Sequence, residues 1–396
     1  MKEKTSILSA VSIYHGLNDG AVTVIPILFP IFKDIFDLSY TQIGLITGVG
    51  LLVSIIAQLI IGRVSDGKNI RTLLTLGVLF VSLSMFILTK SQGFLTLFLF
   101  MTFLRLASSF YHPIGTGWIS RIFKKDRLDW AMGIQSGFAD FGAFIAISTT
   151  LYLSDLKNWE FPLYLWAIAG AIVVLIGLFL TRNIKEEAMI VKKVHKKQNL
   201  KEAINESMVI LKRIKLLIPA FMISGGSWGV VVTFLPLLLV EKTSLSLTQI
   251  GIVVAIWIGI GCIVSFYYGK IKSVFGRKNA VIFSYITIAA MSFLLSFVTN
   301  VMIILPILVL LGVAVFITYP ALAAFVSEET HETMEGGTFA IIFTLQLGGG
   351  TLLLFIGGYL SDLFGIGTPF ALLGSLSLIL TALLLVYRKT PFILPN

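Results

Sequence analysis

Residues 41–61 read Thr41-Gln42-Ile43-Gly44-Leu45-Ile46-Thr47-Gly48-Val49-Gly50-Leu51-Leu52-Val53-Ser54-Ile55-Ile56-Ala57-Gln58-Leu59-Ile60-Ile61, without one charged side chain. At about 1.5 Å per residue such a helix covers about 30 Å, the thickness of a bilayer's hydrocarbon core. Apolar blocks of this kind recur at about 6–32, 72–90, 94–121, 130–153, 159–181, 215–240, 248–269, 279–298, 303–327, 336–360 and 367–387. The chain of 396 residues is 57% hydrophobic and 13% charged, with a mean hydropathy of +0.95. A soluble domain carries about a quarter charged residues. Soluble enzymes, disordered chains and disulfide scaffolds are thereby excluded, and Cys262 is the only cysteine. The expected fold class is all-α and integral to the membrane, with twelve transmembrane helices.

The net charge of +10 is distributed by side. Counting both termini and the even-numbered connections as one face, that face holds 25 of the 30 basic residues. The opposite loops hold Lys33, Lys90, Lys157 and Lys242, and Arg105 lies within a span. Such a bias marks the cytoplasmic side. Both termini are therefore expected in the cytoplasm of a prokaryotic-type inner membrane, and the basicity reports topology, with no nucleic-acid partner. The first span carries His15, Asn18 and Asp19 and reads as a retained helix, not a cleaved signal.

An internal repeat appears at an offset of 207. Thr41-Gln42-Ile43-Gly44 recurs as Thr248-Gln249-Ile250-Gly251, and Tyr152-Leu153-Ser154-Asp155-Leu156 as Tyr359-Leu360-Ser361-Asp362-Leu363. Gly62 matches Gly269, Pro162 matches Pro369, and Tyr111-His112-Pro113 matches Thr318-Tyr319-Pro320. The offset covers six spans and a connector, so both halves enter the membrane in the same sense. Parallel six-helix halves with a site at mid-depth are a transporter architecture. The expected division is a bundle at 1–181, a charged cytoplasmic connector at 182–214 and a second bundle at 215–396.

After the second span comes Gly62-Arg63-Val64-Ser65-Asp66-Gly67-Lys68-Asn69-Ile70-Arg71. It resembles the signature loop of the major facilitator superfamily, where a glycine, an acid and basic residues help hold one conformation. The resemblance implies a conformational gating role for Gly62, Asp66 and Arg71. Within that superfamily, His15-Gly16-Leu17-Asn18-Asp19, Ser109-Phe110-Tyr111-His112-Pro113 and Gln135 through Asp140-Phe141-Gly142 look like the fosmidomycin-resistance branch of drug exporters. Arg105, Ile114 and Asp140 depart from that branch, at polar positions where substrate contact is expected.

Ionisable groups inside a span are costly and mark function by default. Those well inside the spans are His15, Asp19, Arg105, His112 and Asp140, all in the first half. The matching second-half positions hold Met222, Gly226, Gly312, Tyr319 and Leu347. Helical spacing places His15, Asn18 and Asp19 on one face, and Arg105, Ser108, Ser109 and His112 on another. Measured from span centres, Asp19, Arg105 and Asp140 share a plane. His15 and His112 fall about 6 and 10 Å nearer the cytoplasm, as a line of titratable groups. The expected proton-coupling set is Asp19, Asp140, Arg105, His15 and His112, with Arg105 paired to Asp19, Asp140 or both. The expected substrate contacts are Asn18, Arg105, Tyr111, His112, Gln135, Trp228, Tyr319 and Gln346. Gly133, Gly137 and Gly142 are expected to permit close helix approach. No ligand cluster accompanies the histidines along the chain, so no metal and no cofactor are expected.

The function expected is a secondary active transporter working by alternating access. The resemblance points to a proton-coupled antiporter exporting a small organic compound, drug-like or an anionic metabolite. A proton-coupled importer of an organic anion is the nearer alternative, and a non-transporting sensor or membrane enzyme the distant one. No Gly-x-x-x-x-Gly-Lys-Ser/Thr loop occurs. The energy source expected is an ion gradient, worth about 2.3 kcal/mol per charge per 100 mV. A monomer is expected, since one chain carries both halves.

Overall fold

Helices starting and ending at membrane boundaries account for the architecture. The computed structural model describes residues 2–65, 67–123, 125–184, 200–329, 335–388 and 392. The helices, numbered here in chain order, are α1 (Lys2–Ile35), α2 (Tyr40–Val64), α3 (Ile70–Leu88), α4 (Phe94–Ser108) and α5 (Gly117–Ile122). They continue as α6 (Lys125–Leu156), α7 (Glu160–Thr181), α8 (Leu200–Arg213), α9 (Ile218–Lys242) and α10 (Leu247–Phe275). The chain ends in α11 (Arg277–Phe297), α12 (Val301–Glu329), α13 (Glu335–Phe364) and α14 (Thr368–Val386). Among the described residues twelve helical spans are long and apolar enough to cross a membrane, with α4 and α5 forming one span and α8 outside the set. Large apolar side chains such as Leu95, Leu175 and Phe283 are exposed on helix surfaces. Lipid is the only solvent in which that exposure costs nothing.

Two differences from the sequence reading concern helix length and continuity. Glu328, Glu329 and Glu335, expected in a solvated loop, are helical, because an apolar helix that leaves the bilayer keeps its own backbone hydrogen bonds. Glu332 lies outside the described residues. The fourth span is not one α-helix: residues His112–Thr116 form a π-helical turn between α4 and α5. Pro113, the second residue of that turn, lacks an amide hydrogen and so removes one bond of the α ladder there. Its repeat partner Pro320 sits inside continuous α12.

The chain forms two compact units. The first comprises Met1–Leu38, Val49–Lys196 and Leu247–Ile252. The second comprises Ser39–Gly48, Lys197–Ser246 and Val253–Asn396. Thus α2 and α10 each begin in one unit and continue into the other.

Helix pairing repeats between the units. In the first, α1 packs along α6 and α7, and α3 along α4 and α7. In the second, α9 packs along α13 and α14, and α11 along α12 and α14. Backbone contact at glycine sets these crossings. A β-carbon at Gly142 would stand 1.9 Å from the Gly16 carbonyl oxygen, and one at Gly349, its repeat partner, 2.1 Å from that of Met222. Only glycine permits such an approach, which is how helices pack tightly without a hydrophobic drive from water. Gly133 and Gly137, grouped with Gly142 in the sequence reading, have no neighbour within 4 Å of a β-carbon position. They face away from the α1 contact, so helix approach does not explain them.

Candidate functional site

The α1–α6 crossing fixes where the polar groups of the first unit meet. His15 and Asp19 lie one turn apart on α1, with His15 Nε2 and Asp19 Oδ2 separated by 3.3 Å. His15 is 5% exposed, and its Nδ1 lies 3.0 Å from the Gln135 carbonyl oxygen on α6. A carbonyl only accepts, so Nδ1 carries the hydrogen. Nε2 is then the nitrogen that exchanges a proton. Protonated, it makes a charge-assisted contact with Asp19; deprotonated, its lone pair faces a carboxylate oxygen.

The rest of the cluster comes from neighbouring helices. His112 Nε2 lies 3.7 Å from Asp19 Oδ1, and its ring meets that of His15 edge-on at 5.3 Å. Asn18 donates its side-chain amide to Asp19 Oδ1 at 2.9 Å. The Tyr111 ring stacks on His15 with centroids 4.1 Å apart, and its hydroxyl donates to Gln135 Oε1 at 2.8 Å. Tyr111 and Gln135 are buried behind His15, so their groups hold the imidazole. The π-helical turn sets His112 against α1.

This geometry corrects two expectations. The histidines were expected as a graded line, with His112 about 10 Å from the plane of Asp19. The structure gathers His15, Asp19 and His112 into one cluster, because depth counted from span centres ignores helix tilt and side-chain reach. Arg105 was expected to pair with Asp19 or Asp140. Among the described residues it forms neither ion pair; the partners of Asp19 are the two histidines. Arg105 Nε is buried without a hydrogen-bond partner, and the guanidinium acts on Asp19 at longer range. Asp140 is exposed on α6, within electrostatic range of Asp19 and His15. Ser108 and Ser109 donate their hydroxyls back to the Arg105 carbonyl at 3.0 and 2.6 Å.

One donor atom each from His15, Asp19 and His112 lie within 4.8 Å of one another. That spacing would accommodate a metal ion, and reading along the chain missed the grouping because His112 arrives from another span. The positive charge of Arg105 opposes a cation there.

The remaining sequence candidates are spread out. In the second unit Trp228 packs on Trp257 and Phe316, with ring centroids 5.4 and 5.5 Å away. Sequence reading missed this aromatic cluster, whose members are far apart along the chain. Gln346 is 8% exposed, and its carbonyl oxygen would be 2.2 Å from a β-carbon at Gly225. Tyr319 is half-exposed. In the loop after α2, Gly67 has a φ of 75°, and Asn69 caps α3 by accepting the Thr72 amide at 3.1 Å. Gly62 faces Pro113, Arg71 donates to the Leu178 carbonyl at 3.1 Å, and Asp66 lies outside the described residues.

Comparison with known proteins identifies the scaffold. Residues 11–354 match the family Major Facilitator Superfamily. The chain belongs to that superfamily. A fosmidomycin resistance protein of Escherichia coli (strain K12) is 27% identical over 177 residues, 44% of this chain and 43% of that one. An uncharacterised transporter of the same type from Bacillus subtilis (strain 168) is 31% identical over 125 residues, 29% of this chain and 31% of that one. These two matches thus span less than half of either relative. A third, from Methanocaldococcus jannaschii, is 23% identical over 362 residues, 89% of this chain and 90% of its own. Among solved structures, the nucleoside transporter NupG (D323A mutant) superposes with a TM-score of 0.80 at 14% identity, covering 96% of this chain and 99% of its own. A bacterial homologue of the human lysosomal transporter Spinster gives 0.76 at 16%, covering 98% and 96%. This member of the superfamily is a multi-pass membrane protein.

Proposed function

We propose that the protein is a proton-coupled antiporter exporting a small organic compound, drug-like or an anionic metabolite, by alternating access. The observation that carries the reading is Asp19 held between His15 and His112 at 3.3 and 3.7 Å, within spans of the first unit. A carboxylate between two imidazoles is a proton store, and burial makes its charge state costly to leave uncompensated. Asp19 with the histidines carries the proton, and exposed Asp140 receives or releases it. Arg105, buried at Nε without a partner, contacts the anionic part of the substrate. Asn18, Tyr111 and Gln135 hold the cluster, and Trp228, Tyr319 and Gln346 remain candidates for substrate contact. Partial similarity to the fosmidomycin resistance protein supports export. The basic bias supports cytoplasmic termini in the cell (inner) membrane, and a monomer suffices.

The test is reconstitution in vesicles loaded with a pH-sensitive dye and screened with organic anions and cationic drugs. Antiport predicts that compound entering a vesicle drives protons out, whereas symport drives them in. Asp19→Asn is expected to abolish compound-driven proton movement, and Arg105→Ala to abolish the response to anions. Compound uptake with unchanged proton movement in Asp19→Asn would end the coupling assignment.

A further inference from the structure

We infer that His15, Asp19 and His112 form a binding site for a divalent transition-metal ion, with Zn2+ as its type. His15 Nε2 is buried without a hydrogen-bond partner and faces Asp19 Oδ2 across 3.3 Å. The Gln135 carbonyl holds the ring hydrogen on Nδ1, so the two facing atoms both carry lone pairs. Such a buried pair is costly until a positive partner bridges it. On the other side of the carboxylate, His112 Nε2 stands 3.7 Å from Oδ1. One donor atom from each of the three residues falls within 4.8 Å of the other two. A proton bridges one pair at a time, whereas a metal ion bridges all three donors.

The donor set and its supports fit such an ion. Four-coordinate zinc, with bonds of about 2.0–2.1 Å, spaces its ligand atoms about 3.4 Å apart. The separations of 3.3 and 3.7 Å at Asp19 lie on either side of that value. The widest separation, at most 4.8 Å, contracts by up to about 1.4 Å as the ion is taken up. Imidazole with carboxylate suits zinc and its first-row neighbours, whereas magnesium and calcium take oxygen. A metal-bound histidine donates its other ring N–H to a carbonyl, as His15 does to Gln135. A metal-bound carboxylate is itself hydrogen-bonded, as Asp19 is by Asn18. The side chains of Asp19 and His112 are 29% and 30% exposed, which gives the ion a way in. Arg105 opposes the ion, but only at longer range, so a carboxylate about 2 Å from the metal outweighs it. Its charge lowers the affinity without abolishing it. The site shares residues with the proton-coupling assignment and does not rest on it.

The experiment titrates Zn2+ into the untagged full chain in detergent, with free metal read by a competing zinc-responsive dye. His195→Ala, His331→Ala and Cys262→Ser form the background, leaving His15 and His112 as the chain's histidines. One ion per chain is expected, not displaced by about a thousandfold excess of Mg2+. His112→Ala and Asp19→Asn are each expected to weaken binding about tenfold or more. Arg105→Ala is expected to tighten it about tenfold. Absence of stoichiometric Zn2+, or unchanged affinity in His112→Ala and Asp19→Asn, overturns the site. Should both variants fail to fold, Co2+ added to the background protein must develop the visible absorption of a four-coordinate ion. Its absence overturns the site equally. Neither transport nor proton movement is read, so failure here leaves the coupling assignment standing, and failure of coupling leaves this result standing.

Discussion

Arg105 lies against Gly50, its Cγ 2.9 Å and its Nε 3.4 Å from the point where a β-carbon on residue 50 would stand. The repeat keeps this contact and exchanges which partner is large. At 207 residues on, Trp257 replaces Gly50 and Gly312 replaces Arg105. The Trp257 carbonyl oxygen lies 2.9 Å from a β-carbon position on residue 312. One helix pairing thus carries a guanidinium in the first unit and an indole in the second. Gly50→Ala is expected to displace Arg105 and lower compound-driven flux in reconstituted vesicles by about tenfold, about 1.4 kcal/mol of barrier. Flux unchanged from wild type would show that the position of Arg105 does not matter.

Glycines on α6 divide sharply. Gly142→Ala must push apart the α1 and α6 backbones, a loss of about 3 kcal/mol or more, beyond ordinary overpacking. Gly137→Ala meets open space and is expected to leave the midpoint of thermal unfolding unchanged. Thermal aggregation of the purified protein in detergent compares the two directly.

Tyr111→Phe keeps the ring on His15 and deletes the hydroxyl. Gln135 Oε1, buried, then loses its 2.8 Å donor, at a cost of about 1–3 kcal/mol. The expected result is a lower melting temperature with flux within a few-fold of wild type. Tyr111→Ala, which also removes the stack, should lose flux as well.

Arg71 separates a gate from a brace. It donates to the carbonyl of Leu178 in the last turn of α7, where orphan carbonyls and the dipole favour a cation. Arg71→Ala is expected to cost about 1 kcal/mol of stability. Arg71→Lys should restore part of it, with flux at the melting-corrected level of wild type. A flux loss without a melting shift would return Arg71 to the gating role implied by the signature loop.

Much of the site was legible along the chain, because helical periodicity puts His15, Asn18 and Asp19 on one face whatever surrounds them. What was not legible came from other spans. That Gln135 supplies a backbone carbonyl to His15, and that Tyr111 stacks there, depends on the α1–α6 crossing and on the π-helical turn after α4. Arg105 was misassigned for a related reason. Opposite charges at equal depth invite pairing on paper, but in the fold the arginine stem packs against Gly50 and the Asp19 carboxylate meets the two histidines.

Composition and the 207-residue period determined that this chain crosses the membrane twelve times and does so as a duplication, since transfer energies sum over whole segments and need no partner. Which duplicated positions touch was decided only in three dimensions. A glycine facing a carbonyl, or a carboxylate facing an imidazole, acts at one point of contact between segments far apart along the chain. Local pattern carries no record of that point.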